Sequence, residues 1–132
     1  MRLRLALDAG DVAATKADLL SLWRNIADHA KASLRRAGIT NVQLHVGDGL
    51  NGWTTAEPYD VIVVTGSLRE RSPVIEQQLA LGGRMFVVVG AGPAMEALLI
   101  TRQDADTWRV ESLFETELPP LVGAEPRPEF RF

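Results

Sequence analysis

The chain contains no cysteine. Disulfides, a thiolate nucleophile and a thiolate metal centre are therefore excluded, and a reducing compartment suits it. An excess of basic charge is also missing. Fourteen Lys and Arg stand against seventeen Asp and Glu, a net charge of -3, whereas nucleic-acid binders carry a basic stripe. No nucleic-acid partner is expected, and "SLRRAG" reads as one solvated helix face. No apolar run approaches the roughly 18 residues of a membrane helix. The opening "MRLRLALDAGD" meets aspartates too early to be a signal peptide. These absences leave a soluble, cytoplasmic protein with no membrane partner. Its 132 residues suffice for one domain with a single core.

Proline and glycine are absent from Val12 to Ala37. Within that stretch Leu19, Leu22, Trp23, Ile26, Ala30 and Leu34 recur at steps of three and four. This spacing predicts one long amphipathic helix, closed by Gly38 after Arg35 and Arg36. Before it, "RLRLALD" alternates like a short strand, and Asp11 is placed to cap the helix. After it, Val42 to Val46 alternates again. "YDVIVVTG" and "RMFVVVG" are near-continuous β-branched runs, the pattern of parallel strands buried on both faces. Ser72-Pro73 is an N-cap and first helical residue, predicting a helix from there to Gly82-Gly83. "EALLITR" and "WRVESLF", joined by the polar turn "QDAD", predict an antiparallel hairpin at one edge. The expected fold is α/β, with helices on both faces of the sheet. Phe130 and Phe132 in the proline-rich tail are candidate anchors.

Few residues carry chemistry. His45 alternates with Gln43 on a strand whose other face is Val42, Leu44 and Val46, so it reads as a half-exposed strand residue. His29 falls on the polar side of the helix. Two histidines without a carboxylate cluster give no metal site. Five serines are present, none in a nucleophile-elbow context, so no catalytic residue is identified. Asp104 and Asp106 belong to a hairpin turn. The stretch that stands out is "VQLHVGDGLNGW", Val42 to Trp53. Ligands of open parallel sheets bind outside the carboxyl ends of strands, where Asp48 and Gly49 fall. A carboxylate there can accept from an exocyclic amine, and glycine lets a planar base approach the backbone. By itself, Gly-Asp-Gly reads equally as a tight turn.

The order of segments adds to this. "AGITNVQLHVGDGLNGW", "PYDVIVVTGS", "LALGGRMFVVVG", "AMEALLITR" and "SLFETELPPLVG" follow one another as in the C-terminal half of the protein-L-isoaspartate O-methyltransferase family. The chain resembles that family over Ala27 to Phe132, most of all a bacterial branch with "SLFET" and a terminal aromatic pair. The resemblance implies a Rossmann-like methyltransferase sheet that binds S-adenosylmethionine. It also implies methylation of the α-carboxyl of isoaspartyl residues in damaged proteins, which would be its partners. It places Asp48 and Gly49 at the adenine, Val63 to Ser67 at the strand end facing substrate, and Leu81 to Arg84 in a structural turn without chemistry.

The family's glycine-rich loop has here only Gly10, and its ribose-binding acidic position aligns with Ser21. Asp18 reaches that position only after a shift of register. Gly10 and Asp18 are thus secondary cofactor candidates. The sheet is expected to be incomplete at its N-terminal side and the domain, residues 1–132, truncated. Methyl transfer is then expected to be weak. The alternative is a non-catalytic relic acting through self-association or partner binding, with a homodimer covering exposed sheet.

Overall fold

A computed structural model describes residues 3–8, 16–47, 49–53 and 58–121, with side chains described from residue 24 onward. The chain clusters into two compact units, Met1–Leu50 and Asn51–Phe132. The first unit is a strand–helix–strand. β1 (Leu3–Asp8) runs parallel to β2 (Val42–Gly47), with Leu5 opposite Leu44 and Leu7 opposite Val46. Between them lies α1 (Lys16–Arg36), the helix expected from the three- and four-residue spacing. Its predicted first residues, 12–15, lie outside the described set, as do the side chain of Trp23 and the tail phenylalanines.

The end of α1 follows from its sequence. Gly38 takes φ +74°, the left-handed conformation that glycine adopts without Cβ strain. The Gly38 N–H donates to the Arg35 carbonyl at 3.1 Å, and Ile39 N–H to the Leu34 carbonyl at 2.9 Å. Two carbonyls that the helix cannot satisfy are thereby bonded. Arg35 and Arg36 add their charge to the last turn.

The second unit is an open four-stranded sheet in the order β3-β4-β5-β6. Its strands are β3 (Tyr59–Leu68), β4 (Leu79–Ala91), β5 (Ala94–Arg102) and β6 (Trp108–Thr116), with the short helix α2 (Pro73–Glu76) between β3 and β4. β3 and β4 are parallel, and β4, β5 and β6 are successively antiparallel. The C-terminal hairpin is present as predicted. Its turn is closed by the Asp106 N–H on the Asp104 carboxylate.

The core is built on β4 and β5. Met85 faces Ile100 and Val87 faces Leu98 on one side of the sheet; Val88 faces Ala97 on the other. All six side chains are buried, so both faces of this strand pair are covered, as the β-branched run of β4 implies. Phe86 and Leu118 extend the second face. Phe86 also meets Phe114 of β6 with ring centroids 6.4 Å apart.

Two expectations are corrected. The helix predicted from Ser72 to Gly82-Gly83 stops at Glu76. Its start is as read, with Ser72 Oγ accepting the Ile75 N–H at 3.3 Å and Pro73 following. Its continuation is lost to sheet pairing: the Gln78 carbonyl accepts from Tyr59 N–H at 2.8 Å, and Leu79 pairs with Tyr59. Tertiary hydrogen bonds here outweigh local propensity, a weak prior. Leu81 to Gly83 accordingly lie in a bulge within β4, between the paired residues Leu79 and Arg84. A Cβ on Gly83 would come within 2.9 Å of the carbonyl oxygens of Ala80 and Tyr59. The second correction concerns β3. It is an edge strand of its sheet, and Val61 and Val63 are 54% and 59% exposed. One face of β3 is therefore open, although its sequence reads as doubly buried.

Candidate functional site

The site begins where β2 ends. β2 stops at Gly47, and the chain passes through Asp48, Gly49 and Leu50 into the second unit. Of the four predicted cofactor residues, Gly49 is described and half-buried. Asp48 and Gly10 lie outside the described residues. Asp18 lies in α1 by its backbone, within the first turn, with its side chain not described.

The loop after Gly49 is held closely. Gln78, 3% exposed, donates from Nε2 to the Asn51 carbonyl at 2.8 Å. Its Oε1 accepts the Trp53 N–H at 3.1 Å. The Tyr59 hydroxyl donates to the Trp53 carbonyl. Between these contacts Gly52 takes φ +74°.

A second feature sits at the carboxyl ends of the parallel pair β3 and β4, the position at which open α/β sheets bind ligands. A cavity of about 460 Å³ is lined there by Ser67, Arg69, Gly90, Met95, Glu117 and Leu118, among others. "VVTGS" ends on it, and the structure shows why small residues stand there. The segment Leu118–Leu121 crosses the strand end. Pro119 carbonyl accepts from Ser67 N–H at 2.9 Å, and Leu121 N–H donates to the Ser67 carbonyl at 3.0 Å. A Cβ on Gly66 would lie 2.6 Å from the Leu121 side chain. Ser67 Oγ donates to the Leu118 carbonyl at 2.9 Å and is 1% exposed. It is thus a structural hydroxyl, its proton engaged by the Leu118 carbonyl. Arg69 and Glu117 are exposed at this cavity and form no ion pair among the described residues. The cavity therefore sets Met95 and Leu118 beside one charge of each sign that is unpaired among the described residues.

A cavity of similar size in the first unit, about 470 Å³, is lined by Lys31, Leu34, Arg35, Ile39 and Val42. It lies at the amino end of β2, opposite to where a ligand of such a sheet is expected. His29 is exposed and His45 half-buried in β2. Among the described residues no three His, Asp or Glu side chains converge, and no helix is long and apolar enough to cross a membrane.

The sequence pointed to the loop after β2 and, through the resemblance, to the "VVTGS" strand end; it did not single out Gln78, Arg69 or Glu117. For Gln78 no local signal exists, because its partners are 25 and 27 residues away.

Comparison with known proteins fits this geometry. Residues 18–126 match the family model for protein-L-isoaspartate(D-aspartate) O-methyltransferase. A protein-L-isoaspartate O-methyltransferase from Protochlamydia amoebophila is 40% identical over 104 residues, 78% of this chain and 50% of that protein. Protein-L-isoaspartate O-methyltransferase 1 from Rhodopseudomonas palustris (strain HaA2) is 41% identical over 101 residues, 76% of this chain and 41% of that protein. The chain thus spans about half the length of these relatives, or less. Among solved structures, a protein-L-isoaspartate O-methyltransferase superposes with TM-score 0.64 at 31% identity, covering 76% of this chain and 33% of that one. A Plasmodium falciparum protein solved with S-adenosyl-L-homocysteine shares the fold with TM-score 0.59 at 15% identity, over 74% of this chain and 48% of that one. The chain belongs to the protein-L-isoaspartate O-methyltransferase family.

Proposed function

We propose that the chain binds S-adenosylmethionine and directs its methyl group to the α-carboxyl of isoaspartyl residues in damaged proteins. The observation that carries this reading is the family match over residues 18–126, which contains both the "GDG" loop and the "VVTGS" strand end. The S-adenosyl-L-homocysteine in the Plasmodium protein supports the cofactor. The local backbone suits such a ligand. Gly47 and Gly49 flank Asp48, so a planar base meets no Cβ on either side, and a carboxylate at 48 can accept from its amine. Gly10 and Asp18 are the secondary contacts in this reading.

The cofactor supplies an electrophilic methyl group; the chain supplies position. Arg69 presents a cation, unpaired among the described residues, beside the cavity at the ends of β3 and β4, suited to draw in a carboxylate. Ser67, bonded to Leu118, fixes that wall. Transfer in this class rests on holding donor and acceptor in line at short range. Gly10 is the only glycine before Gly38, where the family pattern has a glycine-rich loop for the methionine part. Slow transfer is therefore part of the proposal.

Calorimetric titration with S-adenosylhomocysteine tests the reading. The chain should bind at micromolar concentration, and Asp48→Ala should weaken binding by about tenfold or more, the value of a charge-assisted hydrogen bond. No binding at millimolar ligand would sink the reading.

The same reading includes a cytoplasmic protein that associates with a second copy over the open face of β3, where Val61 and Val63 stand exposed. Sedimentation should show dimer at tens of micromolar, with Val63→Lys shifting it to monomer. A strictly monomeric wild-type chain would remove this part.

A further inference from the structure

Gln78 is placed oddly for a residue of its type. It follows a four-residue helix, precedes a core strand, and is 3% exposed. A buried primary amide costs free energy unless its donor and acceptor are both engaged. Here both are, and both meet backbone rather than side chain. Nε2 donates to the Asn51 carbonyl at 2.8 Å and Oε1 accepts the Trp53 N–H at 3.1 Å. A carbonyl at one residue and an N–H two residues on are what a neighbouring strand would satisfy. The Gln78 side chain thus acts as a one-residue strand partner for Asn51–Trp53.

Gly52 completes the fit. At φ +74° it lies flat against the amide, and a Cβ there would approach the Gln78 amide atoms to between 2.3 and 2.8 Å. Only glycine allows the loop to close on Gln78. The main chain of Gln78 is itself fixed by Tyr59 N–H, and the Tyr59 hydroxyl holds the Trp53 carbonyl. Loop 51–53 is therefore anchored to the start of β3 and β4. In sequence, Asn51 follows Gly49 by two residues.

We propose that Gln78 is the positioning residue of Asn51–Trp53, the segment that follows "GDG" in the sequence, and that cofactor binding depends on this anchor. The cofactor half of this inference rests on the function proposed above. The anchoring half stands on the hydrogen bonds alone.

The test uses Gln78→Met, which keeps length and loses both hydrogen bonds, and Gly52→Ala, which attacks the same contact from the loop side. Gln78→Asn, one methylene shorter, is the conservative variant. In the ligand-free chain, the Trp53 amide should exchange at least about tenfold faster in Gln78→Met and Gly52→Ala than in wild type. Amides of the β5–β6 hairpin should keep their protection. In calorimetry both variants should bind S-adenosylhomocysteine about tenfold or more weakly than wild type, with Gln78→Asn between. In turnover the KM for S-adenosylmethionine should rise while kcat is kept. An unchanged Trp53 amide, or unchanged affinity in a folded Gln78→Met, overturns the inference. Should Gln78→Met not fold, Gly52→Ala decides by the same two readouts. If wild type itself binds no cofactor analogue, the proposed function falls and the Trp53 amide decides alone. Protection lost in the variants then upholds the anchor; protection kept overturns it.

Discussion

Replacing Arg102 by alanine is expected to lower the unfolding free energy by about 2–3 kcal/mol, among the larger costs of a single partly exposed side chain. Arg102 ends β5, and its guanidinium joins three pieces of chain. Nη1 donates to the carbonyls of Gln77 at 3.1 Å and Leu79 at 2.7 Å, across the connection from α2 to β4. Nη2 donates to Ala105 at 2.9 Å and Nε to Asp104 at 3.3 Å, closing the β5–β6 turn. The same group lies 5.5 Å from the centre of the Trp108 ring, whose indole N–H donates to the Glu76 carbonyl. Three of the four hydrogen bonds are exposed and are each worth little. The bond to Leu79 is part-buried, and losing it strands a carbonyl away from water. Adding a cation–π contact of about 0.5–1 kcal/mol brings the sum to the stated range. Lysine carries the charge without the planar fork, so Arg102→Lys should recover less than half. Urea unfolding followed by tryptophan fluorescence measures both. A loss below about 0.5 kcal/mol for Arg102→Ala would place this cluster among solvated surface contacts.

Such a cluster explains what could and could not be read from the sequence. α1 was legible because its periodicity, its freedom from glycine and proline, and its closing Gly38 are local properties. The hairpin of β5 and β6 was legible for the same reason, with Asp104 and Asp106 marking its turn. The end of α2 was not. "VIEQQLALGG" has no local stop before Gly82, and the stop comes from Tyr59 taking the Gln78 carbonyl. β3 was misread in the opposite direction: its run of valines and isoleucine announces two buried faces, and burial depends on what lies beside the strand. At the site, Gly-Asp-Gly pointed to the loop because a strand end followed by bare backbone is a local pattern. Gln78 could not be found that way. Its chemistry appears only when the chain brings it to Asn51 and Trp53.

Ile100→Ala should cost about 3–4 kcal/mol, within the 2–5 kcal/mol usual for such truncations in a packed core. Ile100 and Met85 are both fully buried and directly opposite on β5 and β4, so they share a face and touch across the ladder. Both strands are interior in the sheet order, which leaves little freedom for the backbone to collapse into the space vacated. A domain of ordinary stability, about 5–15 kcal/mol, loses a large share of it by this one change. Met85→Ala should cost about 2–4 kcal/mol, because a flexible methionine leaves a gap that neighbours refill more easily. The pair should not be additive. Once one partner is gone the other has already lost contacts, so the double variant should fall short of the sum by about 0.5–1.5 kcal/mol. Val63→Ala supplies the contrast. It shortens a β-branched strand residue too, but one that is 59% exposed in the single chain, and at concentrations too low for a dimer its cost should stay near about 0.5 kcal/mol. Most of the difference between Ile100 and Val63, beyond the extra methylene of isoleucine, measures what burial adds to β-propensity. Equal costs at the two positions would mean that the β3 face is covered in solution, and the concentration dependence of the Val63→Ala cost would then tell whether a second copy covers it.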